Sequence, residues 1–156
     1  MSIAVVILNY NGQHFLAKFL PKVLETSAMA EVIVADNGST DDSVVWLQQQ
    51  FPQVRILRSE KNEGYAGGYN TALAQIEADF YVLMNSDIEP KQDWLKNLIT
   101  YFQSNPNVAA AQPFILSYHE PDKFEYAGAA GGFWDRYGYA FCRGRIFDSI
   151  ENQTNQ

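Results

Sequence analysis

The sequence contains very little cysteine, little histidine and a minority of basic residues. Its one cysteine, Cys142, cannot form an internal disulfide bond, so we expect a reducing compartment and place the chain in the cytoplasm. The 2 histidines argue against a histidine-based metal site. With 11 lysines and arginines against 18 aspartates and glutamates, the formal charge is −7, which disfavours binding of nucleic acid by a basic surface.

Long hydrophobic runs are absent as well. No apolar run approaches the roughly 18 to 20 residues that cross a bilayer, and the amino terminus enters a predicted strand without a basic leader. We therefore expect that this segment is neither secreted nor membrane-spanning on its own. What the chain does have is 47% hydrophobic residues within 156 positions, which is enough for one packed domain.

Predicted strands alternate with predicted helices along the first two thirds of the chain. Short apolar runs predict strands at 3–8, 31–35, 54–57 and 81–84, of which the first and the last are expected to be buried on both faces. Helical spacing follows each strand, with a third helix at 69–78 after a glycine-rich connection, and Pro21 should break or kink the first helix. This order predicts an α/β fold with a mainly parallel sheet. We assign residues 1–115 to that domain and 116–156 to an irregular extension rich in glycine and aromatic residues.

Distinctive polar residues follow three of these strands, at 9–11, 36–37 and 85–87. Ligands of parallel sheets bind outside the carboxyl ends of the strands. Asp87 could offer oxygen ligands to Mg²⁺ or Mn²⁺, with a diphosphate completing the shell. Asp36 could accept a hydrogen bond from a ribose hydroxyl or a base N–H group, and Tyr10 could stack on a base. Together they indicate a site for a nucleotide diphosphate.

Structural interpretations of the same residues stay open at this point. Asp36 and Asp87 could each cap a turn or a helix, and the glycines at 64, 67 and 68 could serve only tight backbone packing. Several familiar sites are excluded by spacing. The sequence has no G-x-G-x-x-G after the first strand, no Gly-Lys-Ser/Thr phosphate loop and no G-x-S-x-G elbow.

Four blocks, in order and at matching intervals, carry a family resemblance: VVILNYNG (5–12), EVIVADNGSTDDS (31–43), KNEGYAGGYNTAL (61–73) and YVLMNSDIEP (81–90). They resemble the amino-terminal, donor-binding part of family 2 inverting glycosyltransferases, particularly the rhamnosyltransferase-like branch. The resemblance implies a GT-A fold, a nucleotide-diphosphate sugar linked to UDP or dTDP, and a Mg²⁺ or Mn²⁺ ion.

The resemblance also implies roles for individual residues. Leu8 and Tyr10 match positions that contact the base, and Asp36 matches the carboxylate that reads the base or ribose. The sequence Asn85-Ser86-Asp87 matches a D-x-D-type motif in which Asp87 is the metal ligand, although Asn85 replaces its first carboxylate. The family's loop and helix start near the donor are matched by Gly64, Gly67 and Asn70.

The later features of the family are missing from the sequence. Inverting transfer needs a general base, which this family carries in a Glu-Asp motif that does not occur before Gln156. We therefore assign no catalytic residue here and expect a truncated fold, with the base and the acceptor-binding half beyond this segment.

The resemblance implies a polysaccharide, lipid-linked or other glycan acceptor and peripheral membrane association of the full-length protein. Apolar surface left by truncation predicts a homodimer. The alternative is a non-catalytic nucleotide-binding or assembly module.

Overall fold

The structure is a computed structural model, and it describes residues 1–125, 132–142, 145–146 and 149–150. The helices are α1 (Gln13–Thr26), α2 (Ser43–Gln50), α3 (Gly64–Leu73) and α4 (Trp94–Ser104). The strands of the first part are β1 (Ile3–Asn9), β2 (Glu31–Asp36), β3 (Arg55–Arg58) and β4 (Phe80–Asn85). Four short strands follow later: β5 (Gly132–Trp134), β6 (Ala140–Cys142), β7 (Arg145–Ile146) and β8 (Ser149–Ile150).

The described residues divide into two compact units, Met1–Lys96 and Asn97–Gln156. The first unit contains a parallel sheet in the order β3-β2-β1-β4. The second contains the antiparallel pairs β5-β6 and β7-β8 and an antiparallel bridge between Leu116 and Phe124. The predicted domain boundary after residue 115 remains a prediction. In the part of the chain that the structure describes, every helix is too short or too polar to cross a bilayer.

The parallel sheet forms because its central strands are apolar on both faces. In β1, Val5 and Val6 point to opposite faces, and both are fully buried. The face that carries Val6 packs with Ile33 of β2 and with Tyr69 and Ala72 of α3 in one cluster. The chain steps from β1 to β2 to β3 in one direction and returns to the other side of β1 for β4. Right-handed crossovers therefore place α1 and α2 on one face and α3 on the other.

Two helix predictions need correction. Pro21 was expected to break or kink the first helix, and the break is wrong, because α1 continues through Pro21 from Gln13 to Thr26. Pro21 lies on the exposed side of α1, and the opposite side buries Leu16, Leu20 and Val23, whose burial offsets the missing hydrogen bond.

The third helix begins at Gly64, five residues before the predicted start at residue 69 and inside the segment predicted as a connection. Its glycines serve a close approach, because a Cβ atom at Gly68 would lie 2.9 Å from Asn37 Cγ and from Leu8 Cδ1. Glycine propensity alone disfavours a helix there, whereas the tertiary contact requires glycine.

The fourth strand was predicted to be buried on both faces, and this is wrong. Tyr81 is 44% exposed and Leu83 is 51% exposed, whereas Met84 on the alternate face is buried. Leu83 pairs with Val6 and shares its face, but the cluster that α3 forms on this face contains residues of β1 and β2 and none of β4.

Candidate functional site

The carboxyl ends of β1, β2 and β4 lie side by side at one edge of the parallel sheet. Asn9, the last residue of β1, pairs with Asp36, the last residue of β2. Leu8 pairs with Asn85, the last residue of β4. The backbone amide of Asn37 extends this arrangement by donating to the Asn9 carbonyl over 2.8 Å. The three polar strand ends noted in the sequence therefore meet at one edge.

A cleft of about 370 Å³ lies at this edge of the first unit. The chain leaves β1 toward β2 on one side and places β4 on the other, so the junction of β1 and β4 is a topological switch point, where open α/β sheets bind ligands. The cleft is lined by Leu8, Tyr10, Asn37, Asn62, Gly64, Tyr65, Asn85, Ser86 and Asp87.

The structure brings together most of the predicted site residues. Those that line the cleft are Leu8, Tyr10, Gly64, Asn85, Ser86 and Asp87. Those that do not line it are Asp36, Gly67 and Asn70. Sequence reasoning did not select three further lining residues, Asn37, Asn62 and Tyr65.

Asp36 lies beneath the site rather than in it. Its carboxylate is 1% exposed and accepts hydrogen bonds from Asn9 Nδ2 and from the backbone amide of Ser39, both over 3.1 Å. Asn9 Nδ2 also donates to Ser39 Oγ over 3.1 Å. The predicted direct contact with a base or ribose does not fit this placement. Asp36 instead holds the turn after β2 against the end of β1, which corresponds to the structural interpretation of this residue.

The neighbouring Asn37 lines the cleft in its place. Its Nδ2 donates to Gly64 O over 3.0 Å and to Asn62 Oδ1 over 3.1 Å, while its Oδ1 accepts from the backbone amide of Glu63 over 3.0 Å. Asn37 lies in the loop directly after β2, whereas Asp36 is the last residue of the strand and its side chain is buried. Asn37 therefore joins the end of β2 to the first turn of α3 and shapes the cleft wall.

Two other predicted residues lie on α3 outside the cleft lining. Gly67 lies against Glu63, and a Cβ atom added at Gly67 would be 2.9 Å from Glu63 Cβ. Asn70 has an exposed side chain, and its backbone carbonyl accepts from Ala74 N over 3.2 Å. The structure gives both residues local packing or helical roles, and their contact with a donor remains a prediction.

Two tyrosines of α3 form the aromatic side of the site. Tyr65 is 62% exposed in the cleft, and its ring packs edge-on against Tyr69 with 5.0 Å between centroids. Tyr69 is buried, and this burial, together with the neighbouring Tyr65, raises the pKa of Tyr69 above its ordinary value. Tyr69 therefore stays protonated at neutral pH and can donate a hydrogen bond.

The donor set at the end of β4 fits a hard divalent cation. Asn85, Ser86 and Asp87 offer an amide oxygen, a hydroxyl and a carboxylate in the cleft lining, and Mg²⁺ is commonly bound by one or two carboxylates together with substrate phosphates and water. In the described residues, no group of three histidine, cysteine, aspartate or glutamate side chains could enclose a metal by itself. A cation here would therefore complete its coordination with water and with the oxygens of a bound molecule.

The charges of the cleft support the same reasoning. Asp87 is the carboxylate of the lining, and no lysine or arginine lines the cleft among the residues that the structure describes. A diphosphate placed beside Asp87 would meet like charge, which raises the free energy unless a cation lies between them. The site therefore suits an anion only in combination with a metal ion.

Solved structures share this fold. S. aureus TarS 1-349 in complex with UDP-GlcNAc matches with a TM-score of 0.60 and 20% identity, over 75% of this chain and 39% of that chain. The mannosyltransferase PcManGT from Pyrobaculum calidifontis, in complex with GDP-Man and Mn²⁺, matches with a TM-score of 0.57 and 23% identity, over 72% of this chain and 33% of that chain. The fold is the GT-A fold, as the family resemblance implied.

A family model described as "Glycosyl transferase family 2" matches residues 4–154, and the chain belongs to this family. An N-acetylglucosaminyl-diphospho-decaprenol L-rhamnosyltransferase of Mycobacterium tuberculosis is 28% identical over 137 residues, which is 80% of this chain and 44% of that protein. A pre-mycofactocin glycosyltransferase of the same species is 34% identical over 91 residues, 55% of this chain and 18% of that protein. The chain spans less than half the length of the curated relatives that it matches.

Proposed function

We propose that this chain is the donor-binding part of a glycosyltransferase and holds a nucleotide-diphosphate sugar together with Mg²⁺ or Mn²⁺. The observation that carries the proposal is the joint position of Tyr10 and Asp87 in one cleft at the β1–β4 switch point. Tyr10, which is 50% exposed, offers an aromatic face to a base. Asp87 offers a carboxylate to a cation. An aromatic face and a cation site at one sheet edge suit the two ends of a nucleoside diphosphate.

The residues of the chain divide the binding task between them. Leu8 and Tyr10, at the end of β1, contact the nucleoside, while Asn85, Ser86 and Asp87, at the end of β4, hold the cation and the diphosphate. When bound, the cation supplies Lewis-acid stabilisation of the charge on the leaving diphosphate. The cleft-lining residues in the described part of the chain include no histidine, and Asp87 is their one carboxylate, so we assign no general base to them.

The donor, the acceptor and the stereochemistry of transfer are properties of the full-length protein. We propose transfer with inversion from a UDP- or dTDP-linked sugar, of the hexosyl- or rhamnosyltransferase type, to a polysaccharide or lipid-linked acceptor. The similarity to the M. tuberculosis rhamnosyltransferase, whose name includes a diphospho-decaprenol, supports a lipid-linked acceptor. Such an acceptor would place the protein at the inner face of the membrane. Homodimer formation also stays a prediction, which light scattering of the purified chain tests.

Titration calorimetry of the purified chain with UDP and with dTDP tests the proposed function. We expect binding in the presence of Mn²⁺ and its loss when EDTA removes the cation. The variant Asp87→Asn should lose the manganese-dependent part of the affinity, because an amide replaces the one carboxylate of the cleft. As a matched control, Glu77→Gln removes an equal charge from an exposed residue before β4, at the other end of that strand, and should bind as the unchanged chain does. If the unchanged chain binds neither nucleotide with Mn²⁺, the proposed function is wrong.

A further inference from the structure

Tyr65 is a large aromatic residue that the fold holds in an exposed position. It lies in the first turn of α3, lines the cleft and is 62% exposed. Tyr69, one turn later on the same helix, is 3% exposed and belongs to the core. Core packing therefore explains the burial of Tyr69, but it does not explain why most of the Tyr65 side chain is exposed in the cleft.

The backbone before Tyr65 is fixed from two sides. Asn62 Oδ1 accepts from the backbone amide of Gly64 over 2.8 Å, and Asn37 Nδ2 donates to the carbonyl of Gly64 over 3.0 Å. Gly64 has a φ of 74°, a left-handed conformation that glycine adopts without strain. The bond from Asn37 places the first turn of α3 against the end of β2, and the bond to Asn62 closes the turn before the helix.

The ring of Tyr65 is supported as well. It meets the ring of Tyr69 at 73°, an edge-to-face contact that stabilises aromatic pairs. Tyr69 is in turn anchored by its hydroxyl, which donates to the Met84 carbonyl. A ring that is preorganised in this way loses little conformational entropy when a ligand binds to it.

The position of Tyr65 along the cleft indicates which part of a ligand it meets. Residues 62–65 follow β3, and two of them, Asn62 and Gly64, accept hydrogen bonds from Asn37, which directly follows β2. Asp87 follows β4. In the strand order β3-β2-β1-β4, β4 and β3 are the outermost strands on opposite sides of the sheet. If the cation and the diphosphate lie at Asp87, the nucleoside extends toward the β2–β3 side.

We infer that Tyr65 is a nucleobase-contacting residue, whose ring stacks on the base of the bound nucleotide in addition to Tyr10. This inference rests on the proposed function, since it concerns the same cleft. Stacking uses the π-face that every base has, so Tyr65 contributes affinity for the nucleoside rather than for the diphosphate. Its aromatic ring is required, and its hydroxyl is not.

Calorimetric titrations with two probes separate these contributions. UDP with Mn²⁺ reports on base and diphosphate together, and inorganic pyrophosphate with Mn²⁺ reports on the cation site alone. We expect Tyr65→Ala to weaken UDP binding by about 5- to 150-fold, the loss that corresponds to one base–aromatic stack. Pyrophosphate binding should stay as it is, and Tyr65→Phe should bind both probes like the unchanged chain.

A second set of variants controls for effects of the substitutions on folding. Tyr65→Leu keeps apolar volume without a π-face and should lose UDP affinity as the alanine variant does. Tyr101→Ala removes another half-exposed tyrosine, one that does not line the cleft, and should change neither titration. Melting temperatures of all variants show whether each remains folded.

Each outcome decides the inference. Full UDP affinity in both Tyr65→Ala and Tyr65→Leu overturns it, and so does an equal loss of UDP and pyrophosphate binding. A phenylalanine variant as weak as the alanine variant also overturns it, because the hydroxyl would then be the contact. If UDP binding depends on Asp87 but not on Tyr65, only this inference fails. If the unchanged chain binds neither UDP nor dTDP with Mn²⁺, the proposed function fails together with it.

Discussion

The hydroxyl of Tyr69 donates a hydrogen bond to the backbone carbonyl of Met84, with 2.9 Å between the two oxygen atoms. Met84 directly precedes Asn85, the first residue of the predicted cation motif. Because Tyr69 belongs to α3 and Met84 to β4, this bond fixes the end of β4 against the helix that also carries Tyr65. The core and the candidate cation site are therefore joined through one buried side chain.

Tyr69→Phe removes this bond and should lower both stability and ligand affinity. A buried carbonyl without its donor costs about 1 to 2 kcal/mol of unfolding free energy, which urea denaturation measures. We also expect weaker manganese-dependent UDP binding, because the strand end that presents Asn85, Ser86 and Asp87 loses its anchor. Tyr101→Phe, which removes the hydroxyl of a half-exposed tyrosine, is the control and should change neither quantity. Unchanged stability in Tyr69→Phe would contradict this role.

Asp36→Ala should destabilise the first unit. It leaves Asn9 Nδ2 with one acceptor fewer and the buried backbone amide of Ser39 without this acceptor. Loss of hydrogen bonds to a buried carboxylate predicts a decrease of about 2 to 4 kcal/mol in the unfolding free energy. Asp42→Ala is the comparison, because Asp42 is exposed and makes no side-chain cap to α2. Its effect should stay within about 0.5 kcal/mol.

The same residue decides between two accounts of base recognition. Since Asp36 is 1% exposed and does not line the cleft, the conservative change Asp36→Asn should leave the ratio of UDP to GDP affinity unchanged. Competition titrations of both nucleotides measure this ratio. A changed ratio in a variant that remains folded would restore Asp36 as a residue that reads the base.

The parallel sheet and its polar edge could be predicted because their signals are local. Apolar runs of strand length and the polar residues that end them are visible in sequence, and parallel strands bring their carboxyl ends to one edge. The choice between Asp36 and Asn37 could not be predicted. Both residues are polar and adjacent at the end of β2, and the one that lines the cleft is set by long-range contacts of Asn37 with α3.

The start of α3 was missed for a related reason. Glycines disfavour a helix locally, so the segment at 63–68 was predicted as a connection. What compensates in the structure is a long-range contact, because Gly68 lets the helix approach Asn37 and Leu8. Tyr65 was likewise not selected, since its exposure in the cleft follows only from the correct start of the helix.

Asp41 should contribute stability that depends on pH. Partial burial raises the pKa of Asp41. Hydrogen bonds from Ser43 and from the backbone amide of Gln13 lower it by a larger amount, so the pKa lies below its ordinary value of 3.8. A folded-state pKa below the unfolded one stabilises the protein above pH 3.8, and this contribution is lost as the pH falls through the lowered value. Melting temperatures of the unchanged chain and Asp41→Asn should therefore differ at neutral pH and converge below pH 3.8. A constant difference would contradict the linkage.

Among the glycines of the first unit, Gly38 should tolerate a side chain least. Its φ is 73°, and a Cβ atom there would lie 2.5 Å from the carbonyl carbon of Lys61 and 2.8 Å from the backbone nitrogen of Asn62. Gly64 is the matched comparison, with a φ of 74° and no atom within 4 Å of an added Cβ. Gly64→Ala should cost about 1 to 2 kcal/mol of unfolding free energy from backbone strain alone. Gly38→Ala should cost about 3 kcal/mol or more, because it adds a collision with backbone that cannot move aside cheaply. Urea denaturation of both variants measures the difference, and equal losses would show that the turn after β2 and the segment before α3 are not in contact as described.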